Sequence, residues 1–236
     1  MGEIAGIVGG LGPESTIDYY RTLVERWRAR APGRGYPRAI IDSVDLDVAV
    51  ALVTAGRLNE LAEYLAASLR RLSAAGATFG LVAANTPHIV FGALRDASPI
   101  PLLSIVEVAC AAARARGLRR PALLGTRFTM QASFYPDVFQ AAGIELAIPD
   151  PAEQEALHAI YMDELVHGVI REESKERVLA IVDRLAADER IDGVLLAGTE
   201  LPLLLRADTA RGLPVLDTTR LHVDAAIERL IPDRQS

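Results

Sequence analysis

Short runs of apolar, often β-branched residues alternate along this chain with longer segments whose apolar residues recur every three or four positions. The short runs predict strands at Ile4–Val8, Ala39–Ser43, Gly80–Ala83, Leu102–Ser104, Ala122–Leu124, Glu145–Ile148, Gly193–Leu196 and Pro214–Leu216. The periodic segments predict helices at Ser15–Ala29, Leu58–Ala74, Ile105–Arg116, Gln131–Ala142, Glu153–Val169, Ser174–Ala187 and Thr219–Leu230. The clearest is Leu58–Ala74, where Leu61, Leu65, Leu69 and Leu72 line one face. Gly117 and Gly143 stand just past the last periodic residue of their segments, where helices commonly stop. Gly/Pro punctuation over residues 31–37 and at Pro149-Asp150-Pro151 marks loops. Strands alternating with helices predict an α/β fold with mainly parallel sheets, because parallel neighbours need a crossover that a helix supplies.

The pattern occurs twice. In the first half, Ile4–Val8 runs into Gly9-Gly10, and Phe79–Ala83 runs into Ala84-Asn85-Thr86-Pro87-His88. In the second, Pro121–Leu124 runs into Gly125-Thr126, and Val194–Leu196 runs into Ala197-Gly198-Thr199-Glu200-Leu201-Pro202. The matched turns lie 75 residues apart from Gly9 to Ala84 and 73 apart from Gly125 to Gly198. The repeat predicts two similar lobes related by a pseudo-twofold axis, lobe one being 1–103 with 211–236 and lobe two 104–210. The active cleft is expected between them, at the C-terminal ends of the strands, where parallel α/β sheets bind ligands.

Composition narrows the function classes. Half of the 236 residues are apolar, enough for one sizeable core or two modest ones. A net charge of −6, no long basic run and only 5% aromatics argue against a nucleic-acid platform. Charges interrupt every apolar stretch before it reaches about 18 residues, so no membrane span is expected. The chain opens on a strand with acidic Glu3 and no basic leader, and it has a single cysteine, so a reducing cytoplasm is the expected setting.

The turns carry the candidate chemistry. The loop Gly9-Gly10-Leu11-Gly12-Pro13 follows a strand and precedes a helix, so it is expected both to form a tight turn and to let backbone N–H groups, that of Gly10 among them, approach a carboxylate. Its spacing is neither a dinucleotide fingerprint nor a P-loop. Asn85, Thr86, Thr126, Thr129 and Thr199 place neutral donors just past buried strands. Each taken alone suits a small carboxylate or the capping of its own backbone equally, and their recurrence at matching places in both halves favours binding. Glu200 is the foremost acid/base candidate, either desolvated at the strand end or exposed at a helix start. His88 is a second base candidate, or a ring bonded down its own helix to a carbonyl. His222 reads as structural. Cys110 sits among small residues in a helix and reads as packing. Lys175, the only lysine, reads as a solvated charge among glutamates. No His, Asp or Glu cluster has metal-ligand spacing, so no metal is expected.

The stretch Gly6 to Tyr20, with Asn85-Thr86-Pro87-His88, Gly125 to Met130, Thr199-Glu200-Leu201-Pro202 and Asp217-Thr218-Thr219, resembles the aspartate/glutamate racemase family in order and spacing from residue 4 to about 224. The resemblance implies an Asp/Glu racemase-like fold, no cofactor, a small carboxylate-bearing substrate and a homodimer. It also implies a thiol before each polar turn, one on either face of the substrate α-carbon. The matching positions are Ala84 and Gly198, neither of which has an ionisable atom. Three functions follow in order. The first is a cofactor-independent isomerase-, lyase- or cyclase-type enzyme with Glu200 as acid/base. The second is a non-catalytic relative that binds a small molecule or a partner. The third is an amino-acid racemase using other bases.

Overall fold

Strand β1 (Ala5–Gly9) leads into helix α1 (Pro13–Arg30), then β2 (Ala39–Ser43), α2 (Leu46–Thr54), α3 (Leu58–Ala74) and β3 (Phe79–Val82). A 3-10 turn (Thr86–Val90), α4 (Phe91–Ala97), β4 (Leu102–Leu103) and α5 (Ile105–Ala115) follow. The second half contains β5 (Pro121–Gly125), α6 (Arg127–Gln131), α7 (Phe134–Ala141), α8 (Pro151–Asp163), a 3-10 turn (Leu165–His167) and α9 (Glu172–Glu189). It closes with β6 (Gly193–Ala197), α10 (Leu201–Leu204), β7 (Thr209–Ala210), β8 (Leu213–Asp217) and α11 (Thr218–Leu230). The computed structural model describes residues 2–205 and 207–231. These form two units, one of residues 2–105 with 222–231 and the other of residues 106–221.

In the first unit the strand order is β2-β1-β3-β4, all parallel, with Ala5 opposite both Ala39 and Phe79. The period of two along these strands sorts their side chains onto two buried faces. Val8 and Val82 face Leu61, Leu65, Leu69 and Leu72 of α3. Ile7, Phe79 and Leu81 face Tyr19, Leu23 and Trp27 of α1 and Val223, Ile227 and Leu230 of α11. The leucine stripe legible in the sequence is therefore the face that α3 buries, and each fully buried leucine contributes about 1.5–3 kcal/mol. Coverage on both sides is what a parallel sheet requires.

In the second unit the order is β5-β6-β8-β7, parallel except for the antiparallel β7–β8 pair. Ala122, Leu124, Val194 and Leu196 pack with Leu157 and Ile160 of α8 and Val178, Val182 and Leu185 of α9. Helix α8 begins in a capping box: Asp150 accepts from the backbone of Ala152 and Glu153, and the Glu153 side chain accepts from Asp150 N–H.

Two expectations are corrected here. The strand expected at Glu145–Ile148 reduces to a single parallel bridge, Ala147 to Ala122, held by Leu123 N–H to Ala147 O at 2.8 Å and Ala147 N–H to Pro121 O at 3.0 Å. It occupies beside β5 the place that β2 occupies beside β1, so the connectivity of the two sheets repeats even where the strand has shortened. The expectation that residues 211–221 join lobe one also fails. Strand β8 pairs with β6 in the second sheet, and the chain enters the first unit only at His222.

Candidate functional site

In the first unit, β3 ends in the buried residues Ala83, Ala84 and Asn85 before the 3-10 turn that contains half-buried Thr86. The turn is anchored by His88. Its Nδ1 lies 3.0 Å from the Ala84 carbonyl, and its Nε2 accepts the backbone N–H of Ile105 at 3.3 Å. An acceptor at Nε2 places the ring proton on Nδ1, which donates it to Ala84. Burial, reinforced by the neighbouring His222, pushes the His88 pKa down to about 3. Both nitrogens are thus engaged with backbone, and the ring stacks on Phe91 with centroids 4.7 Å apart. His222 is held in the same way: Nδ1 meets Tyr19 Oη at 2.9 Å and Nε2 meets Leu103 O at 3.2 Å. Burial lowers its pKa to about 4.

The glycine turn after β1 is closed on itself. Gly10 has φ +80°, and a Cβ there would lie 2.1 Å from Val44 O, so only glycine fits. Its N–H donates to Thr16 Oγ1 at 2.8 Å. Thr16 Oγ1 and Ser15 Oγ donate in turn to Gly12 O at 3.1 and 2.8 Å. The Gly10 N–H expected to meet a carboxylate is therefore already paired, because the hydroxyl of Thr16, six residues on, reaches it first.

In the second unit, Thr126 is the N-cap of α6. Its Oγ1 accepts from Thr129 N–H at 3.3 Å and lies 3.2 Å from Thr129 Oγ1. Both threonines are buried. At the end of β6, Gly198, Thr199 and Glu200 are all buried, and Glu200 is only 1% exposed. One Glu200 oxygen, Oε2, accepts from Thr199 Oγ1 at 2.9 Å and from Tyr161 Oη. A carboxylate so buried requires such donors, since leaving it unpaired costs several kcal/mol. Tyr161, near the C-terminal end of α8, is the partner that the sequence does not disclose. Its spacing with Leu157, Ile160 and Leu165 is that of an ordinary core position, and its ring does belong to that core. Burial first, and the Glu200 carboxylate second, raise the Tyr161 phenol well above its ordinary value.

The space at Gly198 is also occupied. A Cβ on Gly198 would lie 2.5 Å from Tyr161 Cε2, and 3.3 Å from both Tyr161 Cδ2 and Leu201 Cδ1. Elsewhere, Cys110 is buried in α5, with its Sγ 3.7 Å from Val138 O and its thiol pKa raised by burial. Lys175 pairs with Glu172 at 2.7 Å. His158 Nδ1 lies 3.4 Å from Arg127 N–H. Among the described residues no three His, Cys, Asp or Glu side chains are placed to hold a metal ion, and no helix is long and apolar enough to cross a membrane.

The profile of the Asp/Glu/hydantoin racemase family matches residues 8–226. A candidate Asp/Glu racemase from Yersinia pestis is similar at 33% identity, covering 96% of this chain and 98% of that one, with a TM-score of 0.85. An aspartate racemase homologue from Pyrococcus horikoshii OT3 is similar at 32% identity over 96% and 98%, with a TM-score of 0.81. The aspartate racemase of Picrophilus torridus, 20% identical over 96% and 94%, shares the fold with a TM-score of 0.75.

Proposed function

This chain belongs to the Asp/Glu/hydantoin racemase family, and we propose that it is a cofactor-independent enzyme performing isomerase-, lyase- or cyclase-type chemistry on a small carboxylate-bearing molecule. The observation that carries the reading is Glu200: a carboxylate buried at the end of β6, held by two hydroxyls at a turn where the family resemblance implies reactive chemistry. A carboxyl removed from water and oriented by fixed donors is suited to proton transfer.

In this reading Ala84 and Gly198 stand at the positions of the family's two thiols. The chain's one cysteine is a buried residue of α5. Racemisation by a pair of thiols is therefore outside its means, and Glu200 is the acid/base group. Within the second unit Thr126 and Thr129 supply hydroxyl dipoles to the substrate carboxylate and Thr199 holds Glu200, while Asn85 and Thr86 are the corresponding polar groups of the first unit. Gly10 contributes shape, since its N–H is held by Thr16. His88 braces the Ala84 turn. The reading includes a cytoplasmic setting and a homodimer, and light scattering on the purified protein reads the oligomeric state directly.

A second reading, a binding protein without turnover, draws on the commitment of His88, Gly10 and Thr126 to internal hydrogen bonds. One experiment separates the two. Small carboxylates that co-purify with the native protein are identified by mass spectrometry and incubated with wild type and Glu200→Gln. The enzyme reading expects conversion by wild type, with binding but little conversion by Glu200→Gln. Full turnover by Glu200→Gln removes Glu200 from the mechanism, and tight binding with no conversion by wild type supports the second reading.

A further inference from the structure

Gly198 is a glycine for want of space. It is absent from the residues with positive φ, so its backbone conformation is open to any amino acid. What excludes a side chain is the Tyr161 ring, 2.5 Å from where a Cβ would stand. That approach is closer than real Cβ contacts allow, and the obstacle cannot easily give way. The ring is packed into the core of the second unit with Leu157, Ile160 and Leu201, and its far end is tied through Oη to Glu200. Tyr161 is thus held at both ends, by apolar packing along α8 and by the carboxylate two residues beyond Gly198.

We propose that Tyr161 and Gly198 form a single determinant of this site, in which the Tyr161 ring fills the volume a side chain at 198 would take and its hydroxyl positions the Glu200 carboxylate. Tyr161 is then a positioning residue, and the inference rests on the assignment of Glu200 given above. Its physical content is that two positions at this turn are linked. Position 198 carries no side chain, and a phenol from a helix, 39 residues before the Glu200 it contacts, stands in the space a side chain there would need. The phenol holds its proton because burial and the adjacent carboxylate both oppose its ionisation. It therefore acts as a fixed donor to Glu200. The ring also keeps any ligand atom off the Gly198 backbone, which makes it a determinant of which substrates fit.

A double-mutant cycle on the full chain tests the ring. Gly198→Ala in the wild-type background is expected to lower the melting temperature by about 5 °C or more, as overpacking does. The same loss is expected in Tyr161→Phe, which keeps the ring. In Tyr161→Leu, which removes it, adding Gly198→Ala is expected to cost nothing further. An equal loss in all three backgrounds overturns the coupling. The hydroxyl is tested by proton NMR. A slowly exchanging phenolic proton is expected in wild type, lost in Tyr161→Phe and displaced upfield in Glu200→Gln. A resonance unmoved by Glu200→Gln overturns the positioning role. Neither readout needs a substrate, so the proposal can fail while Glu200 remains the acid/base group. If turnover by Glu200→Gln shows that group to lie elsewhere, the steric coupling and the hydrogen bond stand and the positioning role falls with the assignment it rests on.

Discussion

His88 Nε2 accepts the backbone N–H of Ile105 at 3.3 Å, so the start of α5 and the turn after β3 share one imidazole. The ring serves that link only while neutral, since protonation at Nε2 would set two donors against each other. His222 is similarly fixed between Tyr19 and Leu103.

This arrangement makes stability depend on pH. Folded pKa values of about 3 and about 4 lie below the ordinary histidine value of 6.5. Below pH 6.5 the unfolded chain therefore binds more protons than the folded one, and stability falls as pH drops toward 4 and 3. Half-buried His158 is shifted in the same direction. Urea denaturation at pH 7, 6, 5 and 4 is expected to show this decline. The two buried rings contribute a slope of about two protons near pH 5, and His222→Gln reduces it by about one. A stability profile flat from pH 7 to 5 contradicts the buried neutral state of both rings.

Replacement of Gly10 is expected to be among the most damaging single changes. Gly10→Ala adds a Cβ 2.1 Å from Val44 O at a residue with φ +80°. The neighbouring atom is backbone at the end of β2 and cannot swing aside. A loss of about 3 kcal/mol or more is expected, read as a lower urea midpoint or as failure to accumulate folded protein.

Thr126 separates a capping role from a binding one. Thr126→Ala removes the side-chain acceptor for Thr129 N–H and is expected to cost about 1 kcal/mol, while Thr126→Ser keeps the capping hydroxyl and is expected to retain the cap. Calorimetry with the co-purifying carboxylate shows whether affinity falls as well. A loss of stability with unchanged affinity confines Thr126 to the cap.

The absence of an available thiol predicts silence in the family's simplest assay. In heavy water, neither enantiomer of aspartate or glutamate is expected to exchange its α-proton faster than buffer, as followed by proton NMR. The single cysteine is buried in α5 with its thiol pKa raised, so it supplies no ready thiolate. Exchange well above buffer would mean that other groups serve as bases, and the racemase reading would replace the one proposed.

Much of the frame is legible along the chain. The leucines of α3 declare its buried face, the glycine turns after β1 and β5 declare the repeat, and a count of one cysteine excludes a thiol pair. These are local or compositional properties, set by periodicity, by backbone freedom and by which atoms a residue type possesses. The tertiary structure decided the rest. It reduced 145–148 to one bridge, gave β8 to the second sheet, and turned the Gly10 N–H toward Thr16. It brought Tyr161 against Gly198, and against Glu200 from 39 residues away, and His222 against Tyr19 from 203. Tyr161 occupies a core position by every local measure, with nothing in its spacing to mark its hydroxyl. Only the packing of α8 into the core of the second unit brings that hydroxyl to a buried carboxylate, because the contact depends on how separate elements meet and not on the pattern within any one of them.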